Sequence, residues 1–539
     1  MNTMVTGLLI DTVSIQQYIF SSNKLKENLG ASYIIEHEIY SKILKDAIQK
    51  STGNVIELNH WKEEGKESET FPTDSNVAIG FIGGGNALIL FKEATICDDF
   101  IKNYTLSLLL HFPGIRIAFG RHDSFDDSSD GYQNSMEMLT KSLIQNKGLH
   151  FRNTNIIKPG IVKDCAFSNE AEQLKVFEEY GNKRMSSMTL AKLKAEERAE
   201  QYILLEYEKS EFTLTDNHER LGQPNDKGYL AVVHIDGNGM GQKIKECKSL
   251  AQLRNLSRQL SINSEKLQKA ILGYTNSIFS KDFCDKNNFD YSPNQGGNKK
   301  ILPIRPIISG GDDITFVCEG RLGVHLAEKY IELLKKTKIK LPNGDEIPME
   351  ACAGIAIVKT NYPFFRAYKL AEELLIKAKT TSKVDNGKSY LFYMIVNSGF
   401  VSMDPDIIIS QQFSTSNGSL LNGPYGVGEN SQNKLSDLKE RIKEFTLVPK
   451  KKWPRSKLKE FREILHRPGP YRKYFKLEIK ARKEQLTIHK YHGEDSLWRI
   501  RKDKNGNELK DDNDKVLKYT PYYDIIELSE FYPADLLDK

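Results

Sequence analysis

The chain has 539 residues, of which 39% are hydrophobic and 28% charged, with a formal net charge of +5. This composition is that of a globular protein, and the length predicts three or four domains. No apolar run reaches the roughly 18 residues of a membrane span, and residues 1–11 lack a signal-peptide pattern, so we expect a cytoplasmic protein without a membrane partner. The six cysteines are scattered without a C-x-x-C pair, which argues against disulfides and a cysteine-rich zinc ribbon.

The chain contains an internal repeat. Near its start, GLLIDTVSIQQYI predicts a strand that ends at Asp11 and runs into a helix, and YLAVVHIDGNGMGQKI has the same form with Asp236 at the strand end. The hairpin VAIGFIGGGNALILF follows the first stretch, and PIRPIISGGDDITFVC follows the second. Predicted strands at 114–120 and 351–358 form a third pair. Three matching elements in one order predict two copies of one α/β unit.

The two copies differ at the hairpin tip. Aligned on the glycine pair, Asp312 and Asp313 of the second copy correspond to Asn86 and Ala87 of the first. The first copy therefore keeps the tight turn and lacks the carboxylates.

The repeat sets the predicted domain boundaries. The copies occupy residues 1–165 and 226–400, and residues 166–225, rich in Glu, Lys, Leu and Ala, predict a helical linker domain. The Gly, Ser and Asn content of residues 401–433 predicts a flexible linker. Residues 434–539 predict a basic, mostly helical C-terminal domain.

Three aspartates are expected to meet at one end of the second copy. Asp236 ends the apolar run LAVVHI, and Asp312 and Asp313 lie at the hairpin tip. Two carboxylates about 4 Å apart repel by about 4 kcal/mol in a partly dry site, which a cation would relieve. Their oxygens suit Mg²⁺ or Mn²⁺, two of which clamp the reacting oxygens in phosphoryl transfer. Adjacent strand residues face opposite ways, so either the pair sits in the turn or one aspartate alone binds metal directly.

A glycine-rich turn follows Asp236 and opens a helix. Small residues let backbone N–H groups approach an anion at a helix N-terminus, so we expect a triphosphate there. The residues concerned are Gly237, Asn238, Gly239, Met240 and Gly241.

Two lysines are candidates for a phosphate contact. Lys377 and Lys379 lie on the helix predicted to begin after Pro363, and either ammonium group could reach a phosphate. The alternative for each is a solvated lysine near a helix C-terminus, where the helix dipole favours it.

The charge is uneven towards the C-terminus. Residues 450–502 contain eighteen Lys and Arg against six Asp and Glu, interleaved with Trp453, Phe461, Tyr471, Tyr474, Phe475, Tyr491 and Trp498. Basic residues among aromatics are typical of a surface that contacts phosphates and stacks bases. The alternative is the solvated face of a helical domain.

A strand-end aspartate followed by a GGDD hairpin resembles the polymerase-cyclase large subunit of type III CRISPR systems, the Cas-ten family, and more distantly the GGDEF cyclases. The opening DTVSIQQYIFSSNKLKENLGASYIIE, the GGGN hairpin and the AGIAIV…AEELLIKAK segment fit the large subunit better. The resemblance covers about residues 5–165 and 226–395. It implies an α+β fold with two ferredoxin-like palm domains in tandem, the first degenerate and the second catalytic.

The resemblance also implies a reaction and a set of roles. Members of the family join ATP molecules into cyclic oligoadenylates, second messengers of antiviral defence. Asp236, Asp312 and Asp313 would be catalytic and hold two Mg²⁺ or Mn²⁺ ions. Residues 237–241 with Ser309, Gly310 and Gly311 would line the donor ATP, and Gly84, Gly85 and Asn86 would help to hold the acceptor ATP.

Two departures from the family pattern leave the setting open. The first palm begins within ten residues of Met1, so no HD nuclease is expected, and no zinc-binding cysteine module separates the palms. The basic C-terminal region could bind guide or target RNA and CRISPR effector subunits, and the chain could also dimerise. The alternative function is an RNA-binding scaffold with weak or no catalysis. A GGDEF-like dinucleotide cyclase fits less well, because one chain already holds both halves.

Overall fold

A computed structural model describes residues 5–63, 75–128, 130–149, 161–165, 171–172, 176–177, 181–217, 220–221, 228–291, 299–396, 404–428, 431, 433–448, 452–481, 497–502, 506–510 and 514–539. Within these ranges no helix combines the length and apolar character needed to cross a membrane.

The first unit is a four-stranded antiparallel sheet of order β2-β3-β1-β4, covered by helices. A π-helical segment, Ile34–Ile43, joins α2 to α3. The elements are β1 (Val5–Thr12), α1 (Ile15–Ile19), α2 (Leu25–Tyr33), α3 (Leu44–Thr52), β2 (Val77–Gly83), β3 (Asn86–Phe91), α4 (Ala94–His111), β4 (Ile117–Phe125) and α5 (Tyr132–Leu149).

A short connecting region leads to the second unit. Its helix begins after Ser186, whose side chain accepts a hydrogen bond from the Thr189 N–H. Residues 166–225 were expected to be helical, but the described part also contains a two-stranded ladder and one further strand. The elements are β5 (Val176–Phe177), β6 (Lys183–Arg184), α6 (Ser187–Glu206) and β7 (Phe212–Thr213).

The second unit is a six-stranded sheet of order β10-β11-β8-β14-β15-β18, in which only β14 and β15 run parallel. Its elements before the C-terminal region are β8 (Tyr229–Gly237), α7 (Met240–Lys245), α8 (Leu250–Ile278), α9 (Lys281–Asn287), β9 (Lys300–Ile301), β10 (Ile304–Gly310), β11 (Asp313–Glu319), α10 (Gly323–Lys335), β12 (Lys338–Lys340), β13 (Glu346–Pro348), β14 (Ala351–Lys359), α11 (Phe364–Val384) and β15 (Tyr390–Ile395).

The two units share one topology. The order β2-β3-β1-β4 corresponds strand for strand to β10-β11-β8-β14, and the first strand of each unit ends at its aspartate. Helices pack on both sheets, so the α+β fold with two ferredoxin-like palms is confirmed. We call the units the first and the second palm.

Each palm uses a glycine to bring a helix against its sheet. A Cβ on Gly120 of β4 would lie 2.3 Å from the Leu139 carbonyl oxygen of α5, and a Cβ on Gly354 of β14 would lie 1.9 Å from the Ala371 carbonyl oxygen of α11. No other side chain fits at that separation. The glycines therefore set how close α5 and α11 lie to their sheets and which helix side chains face the two strand-end aspartates.

The palms pack against each other through aromatic and polar contacts. The Phe20 ring, just after α1, stacks on Tyr368 of α11 with ring centroids 3.8 Å apart. The buried guanidinium of Arg254, on α8, donates hydrogen bonds to the carbonyl oxygens of Ile79 at 2.5 Å and Gly80 at 3.2 Å. Gly80 lies where the pairing of β2 is irregular, so Arg254 satisfies carbonyl groups that the ladder does not.

The C-terminal region packs on the second palm and contributes β18 to its sheet. Three helices, α13 to α15, occupy the stretch expected to be mostly helical. The elements are α12 (Pro405–Gln412), β16 (Ser414–Thr415), β17 (Gly418–Ser419), β18 (Tyr425–Gly426), α13 (Leu435–Thr446), α14 (Arg455–His466), α15 (Gly469–Ala481), β19 (Arg499–Ile500), β20 (Lys518–Tyr519) and α16 (Tyr522–Phe531).

The flexible linker expected at 401–433 is wrong for its described part. Leu420 and Tyr425 are buried, and the Tyr425 hydroxyl donates to the Asp524 carboxylate of α16 at 2.6 Å. The Asn422 N–H donates to the same carboxylate at 2.8 Å. The stretch is held in place by these hydrogen bonds to a residue about a hundred positions later in the chain.

A buried histidine joins the C-terminal region to the second palm. The two ring nitrogens of His325, on α10, lie 2.7 Å from the Tyr274 hydroxyl and 2.9 Å from the Tyr532 hydroxyl. Burial, followed by the nearby ammonium groups of Lys439 and Lys329, lowers the pKa of His325 to about 3. His325 is therefore neutral in the folded protein.

We predict that His325 makes the fold acid-sensitive. Below the ordinary histidine pKa of 6.5, His325 is protonated in the unfolded chain but stays neutral in the folded protein. The free energy of unfolding should then fall by about 1.4 kcal/mol per pH unit from this group. Urea unfolding at pH 7.5, 6.0 and 5.0 should show a smaller loss in His325→Phe, although that variant starts less stable. Equal pH slopes in parent and variant, with the exposed His111→Phe as control, would contradict the assignment.

Candidate active site

Backbone register brings the three predicted aspartates together. Asp236, at the end of β8, is paired directly with Asp313, the first residue of β11. Gly311 and Asp312 form the two-residue turn between β10 and β11, and Gly311 has a φ of 64°. The pair therefore does sit at the turn, where Asp312 escapes the alternation of strand side chains.

The three carboxylates form a compact cluster. One oxygen from each of Asp236, Asp312 and Asp313 lies within 4.8 Å of the others. Oδ1 of Asp313 is buried and has no hydrogen-bond partner among the described residues. A Cβ on Gly237 would lie 2.8 Å from the Asp312 Cβ, so a glycine is required beneath that side chain.

The cluster is electrostatically costly without a cation. Burial, followed by the charge of Asp236, raises the pKa of Asp312 to about 6. Burial, followed by the charges of Asp236 and Asp312, raises the pKa of Asp313 well above its ordinary value. A buried oxygen without a donor and three hard oxygen ligands within reach fit a divalent cation such as Mg²⁺ or Mn²⁺.

Two lysines lie beside the carboxylates. The Lys379 ammonium group of α11 forms an ion pair and hydrogen bond with Asp236. The Lys243 ammonium group of α7 donates to the Asn238 carbonyl oxygen at 2.8 Å. Burial lowers the pKa of Lys243, while the nearby Asp312 charge acts in the opposite direction. Sequence reasoning missed Lys243, which lies two residues beyond the glycine-rich turn, in the first turn of α7.

The glycine-rich turn leads into a helix of six residues, after Gly239 with its φ of 71°. The Asn238 side chain donates to Ser382 Oγ at 3.0 Å and to the Gly387 carbonyl oxygen at 2.8 Å, so it ties the turn to the end of α11. The Met240 side chain is buried in the core, and a Cβ on Gly241 would meet open space. Backbone groups, and not the side chains of Asn238 and Met240, are what this turn offers to a phosphate.

The hairpin tips of the two palms face each other. A Cβ on Gly310 would lie 4.0 Å from the Gly84 Cα, and Ser309 Oγ lies 3.3 Å from Ser264 Oγ of α8. The Gly85 carbonyl oxygen accepts hydrogen bonds from the Thr12 N–H at 3.0 Å and from the Tyr40 hydroxyl at 2.5 Å.

Register corrects the alignment of the two hairpins by one residue. Asn86 pairs with Asp11 in the first palm as Asp313 pairs with Asp236 in the second. Gly85 therefore corresponds to Asp312, and Asn86 to Asp313. The expected match of Asp312 with Asn86 is wrong. The three glycines at 83–85 can be aligned in two ways with the two glycines at 310–311, and the sequence alone does not choose between them. The Asn86 side chain donates to the Gly84 carbonyl oxygen at 3.0 Å within the turn.

Lys377 does not reach the aspartates. Its ammonium group forms an ion pair at 2.5 Å with Asp406 of α12. Two residues along an α-helix turn the side chain by about 200°, so Lys377 and Lys379 lie on opposite faces of α11.

The first palm carries an ion pair that the sequence did not reveal. The Lys147 ammonium group of α5 lies 2.6 Å from Asp11, as Lys379 contacts Asp236 in the second palm. In each palm one helix residue places its carbonyl group against the packing glycine: Leu139 in α5 and Ala371 in α11. The lysine follows that residue by eight positions in both helices. The repeat of that spacing is the signal that could have identified Lys147.

A second acidic group, Glu196, Glu200 and Asp216, also has three carboxylate oxygens within 4.8 Å of one another. It already faces cations, because Lys26 forms an ion pair with Asp216 and the charges of Glu200 and Asp216 act on the buried guanidinium of Arg305. We read this group as a structural ion network.

Comparison with known proteins identifies the second palm. Residues 229–387, which contain all three aspartates, match the family model of the Cas10/Cmr2 second palm domain. This segment is similar to the second palm of Cas10/Cmr2. The resemblance to the polymerase-cyclase large subunit of type III CRISPR systems is thereby confirmed over these residues. None of the curated proteins searched matches the chain.

Comparison with solved structures shows a likeness of fold. Csm1 in T. onnurineus aligns at a TM-score of 0.53 and 13% identity, covering 98% of this chain and 70% of that chain. A Csm1-Csm4 cassette in complex with pppApA aligns at 0.49 and 12% identity, covering 98% and 69%. The first likeness shows a shared fold that extends well beyond the Cas10/Cmr2 palm.

We predict that the carboxylate cluster of the second palm destabilises the metal-free protein. At pH 7.5, Asp313→Asn removes an ionisable carboxyl group from the cluster and should raise the free energy of unfolding by about 1–2 kcal/mol. In the parent, Mn²⁺ or Mg²⁺ should raise Tm, and Asp313→Asn should lose most of that increase. Thermal unfolding with the metal and with excess chelator measures both effects.

The control variant for this measurement is Glu346→Gln. Glu346 is exposed on β13 and also loses one negative charge. It should leave the metal-dependent increase of Tm unchanged. A metal response that survives in Asp313→Asn would mean that the cluster does not bind the ion.

Proposed function

We propose that the chain is a metal-dependent nucleotidyltransferase that joins ATP molecules into cyclic oligoadenylates in CRISPR-type antiviral defence. The observation that carries the proposal is the cluster of Asp236, Asp312 and Asp313 within 4.8 Å at the end of a Cas10/Cmr2 palm. Clustered carboxylates that can hold cations, next to a glycine-rich turn, are suited to phosphoryl transfer.

The aspartates are assigned to hold two Mg²⁺ or Mn²⁺ ions, which when bound stabilise charge on the attacking and leaving oxygens. Backbone N–H groups of residues 237–241 and 309–311 are assigned to the donor ATP. Gly84, Gly85 and Asn86, on the facing hairpin, are assigned to the acceptor. A 3′-hydroxyl then attacks the α-phosphate and releases its proton to solvent, while a new P–O bond forms, the bond to the β-phosphate breaks and pyrophosphate leaves.

Lysine charge is assigned to the triphosphate. With cations held by the aspartates, the Lys379 ammonium group, which now pairs with Asp236, would be available to a phosphate oxygen. We assign Lys243, whose ammonium group lies near the Asp312 charge, to the β- and γ-phosphates. Positioning and electrostatic stabilisation by these groups need no covalent intermediate.

The test is product formation by the purified chain. Incubation with ATP and Mg²⁺ or Mn²⁺, read by mass spectrometry, should give cyclic oligoadenylates from the parent. Asp312→Ala/Asp313→Ala should lower the rate at least about 100-fold, because it removes two of three metal ligands. Lys377→Met, which changes a lysine remote from the aspartates, should keep the parent rate. Absence of product from the parent, both alone and with added RNA, would contradict the proposal.

A second candidate function is RNA binding by the C-terminal region. The observation that favours it is on α15, where Tyr471 and Tyr474 are 58% and 72% exposed within the basic segment. Exposed aromatic rings among lysines and arginines provide stacking and phosphate contacts for single strands. Tyr491, singled out with them in the sequence, lies outside the described residues.

We predict that Tyr471→Ala/Tyr474→Ala weakens binding of single-stranded RNA about 10-fold or more, since stacking contributes about 1–3 kcal/mol per base. The affinity of the parent should fall steeply with salt. Tyr202→Ala, which removes an exposed tyrosine from α6, is the matched control. Fluorescence anisotropy at several salt concentrations measures both effects. An affinity unchanged by the double substitution would assign RNA to another surface.

A further inference from the structure

A cavity of about 430 Å³ lies between the outer face of α11 and the C-terminal region. Helix α11 contributes residues spaced by three or four, among them Glu373, Ile376 and Lys377. Phe392 of β15 and Arg501 form other parts of the wall. The volume lies within the range of roughly 300–1,000 Å³ typical of small-molecule sites.

Arg501 gives this cavity an anion-binding group. One of its N–H groups donates to the Leu421 carbonyl oxygen at 2.9 Å, and the guanidinium lies over the Tyr519 ring at 4.9 Å. Burial lowers the pKa of Arg501. A guanidinium carries five N–H donors in a planar fork, so further donors remain for a ligand.

The carboxylates around the cavity form ion pairs or hydrogen bonds with residues other than Arg501. Asp406 forms its ion pair with Lys377 at 2.5 Å, and Glu373 lies 3.7 Å from Lys369. The Asp524 carboxylate, which also acts on Arg501, accepts hydrogen bonds from Tyr425 and the Asn422 N–H. Among the described residues Arg501 therefore forms no ion pair. A buried guanidinium without a bonded carboxylate favours an anionic ligand.

The rest of the wall is suited to a less polar part of the same ligand. Phe392, Ile376, Ile409 and Leu421 contribute apolar side chains. The hydroxyl groups of Thr380 and Thr381 donate to carbonyl oxygens within α11, so they are left to accept hydrogen bonds from hydroxyl or amino groups of a ligand. An apolar cavity with a few convergent polar groups is the usual form of a small-molecule site.

We propose that this cavity binds a small phosphorylated molecule of nucleoside-monophosphate size, with its phosphate on Arg501 and its apolar part against Phe392. The site is distinct from the three aspartates, because it lies on the opposite face of α11 from Lys379. This proposal is independent of the proposed function, because it concerns ligand binding in the cavity and not catalysis at the aspartates.

The test is calorimetric titration of the full chain with AMP, inorganic phosphate and adenosine. AMP should bind the parent, phosphate should bind more weakly and compete with AMP, and adenosine should bind at least 10-fold more weakly than AMP. Arg501→Gln should weaken AMP at least 10-fold. Lys379→Met, which alters the aspartate site, should leave AMP affinity unchanged and so separates the two sites.

A second variant keeps the proposal falsifiable if Arg501→Gln is poorly folded. Ile376 is 51% exposed on α11, so Ile376→Trp should fold and fill the cavity from its rim. It should also weaken AMP at least 10-fold at an unchanged Tm. Failure of AMP to bind the parent at millimolar concentration would overturn the proposal. AMP binding that survives in Ile376→Trp, or that is lost in Lys379→Met, would overturn it equally.

Discussion

The antiparallel register of β8 against β11 determines where charge accumulates in this protein. Directly opposed residues of an antiparallel pair place their side chains on one face, so pairing Asp236 with Asp313 sets two carboxylates side by side. The two-residue turn adds Asp312 above Gly237, where only a glycine leaves room for it. A slip of one residue would turn Asp313 to the opposite face and disperse the cluster.

The first palm has the same strand topology, but two different residues at its hairpin tip give it a different electrostatic character. Gly85 and Asn86 occupy the places of Asp312 and Asp313, so Asp11 is left as a single carboxylate paired with Lys147. One anion and one cation balance without a metal ion. In the second palm Lys379 faces three carboxylates and leaves an excess of negative charge. The glycine tip at Gly84 and the acidic tip beyond Gly310 are adjacent, so one palm supplies charge and the other a neutral facing surface.

Local patterns were sufficient to predict the repeat, the strand-end aspartates and the acidic hairpin, because strand alternation and turn chemistry are encoded by neighbours in sequence. The hairpin alignment failed by one residue, since three consecutive glycines fit the turn in two ways and pairing to β1 decides between them. The sequence could not show which of Lys377 and Lys379 faces the aspartates. That depends on the rotation of α11 about its axis, which is set by its close approach to Gly354. The packing of Tyr425 was also hidden, since its partner Asp524 lies far along the chain and composition carries no information about distant contacts.

Helix α11 is the element through which these features meet. Its inner face carries Lys379 to Asp236, and its outer face lines the cavity of Arg501. Gly354 holds the helix so close to β14 that it can shift only as a unit with the sheet or slide along it. A ligand that moved α11 by binding Arg501 would therefore move the counter-charge of the aspartates. Thermodynamic linkage makes such an effect reciprocal, so occupancy of the aspartate site would change affinity in the cavity by the same factor.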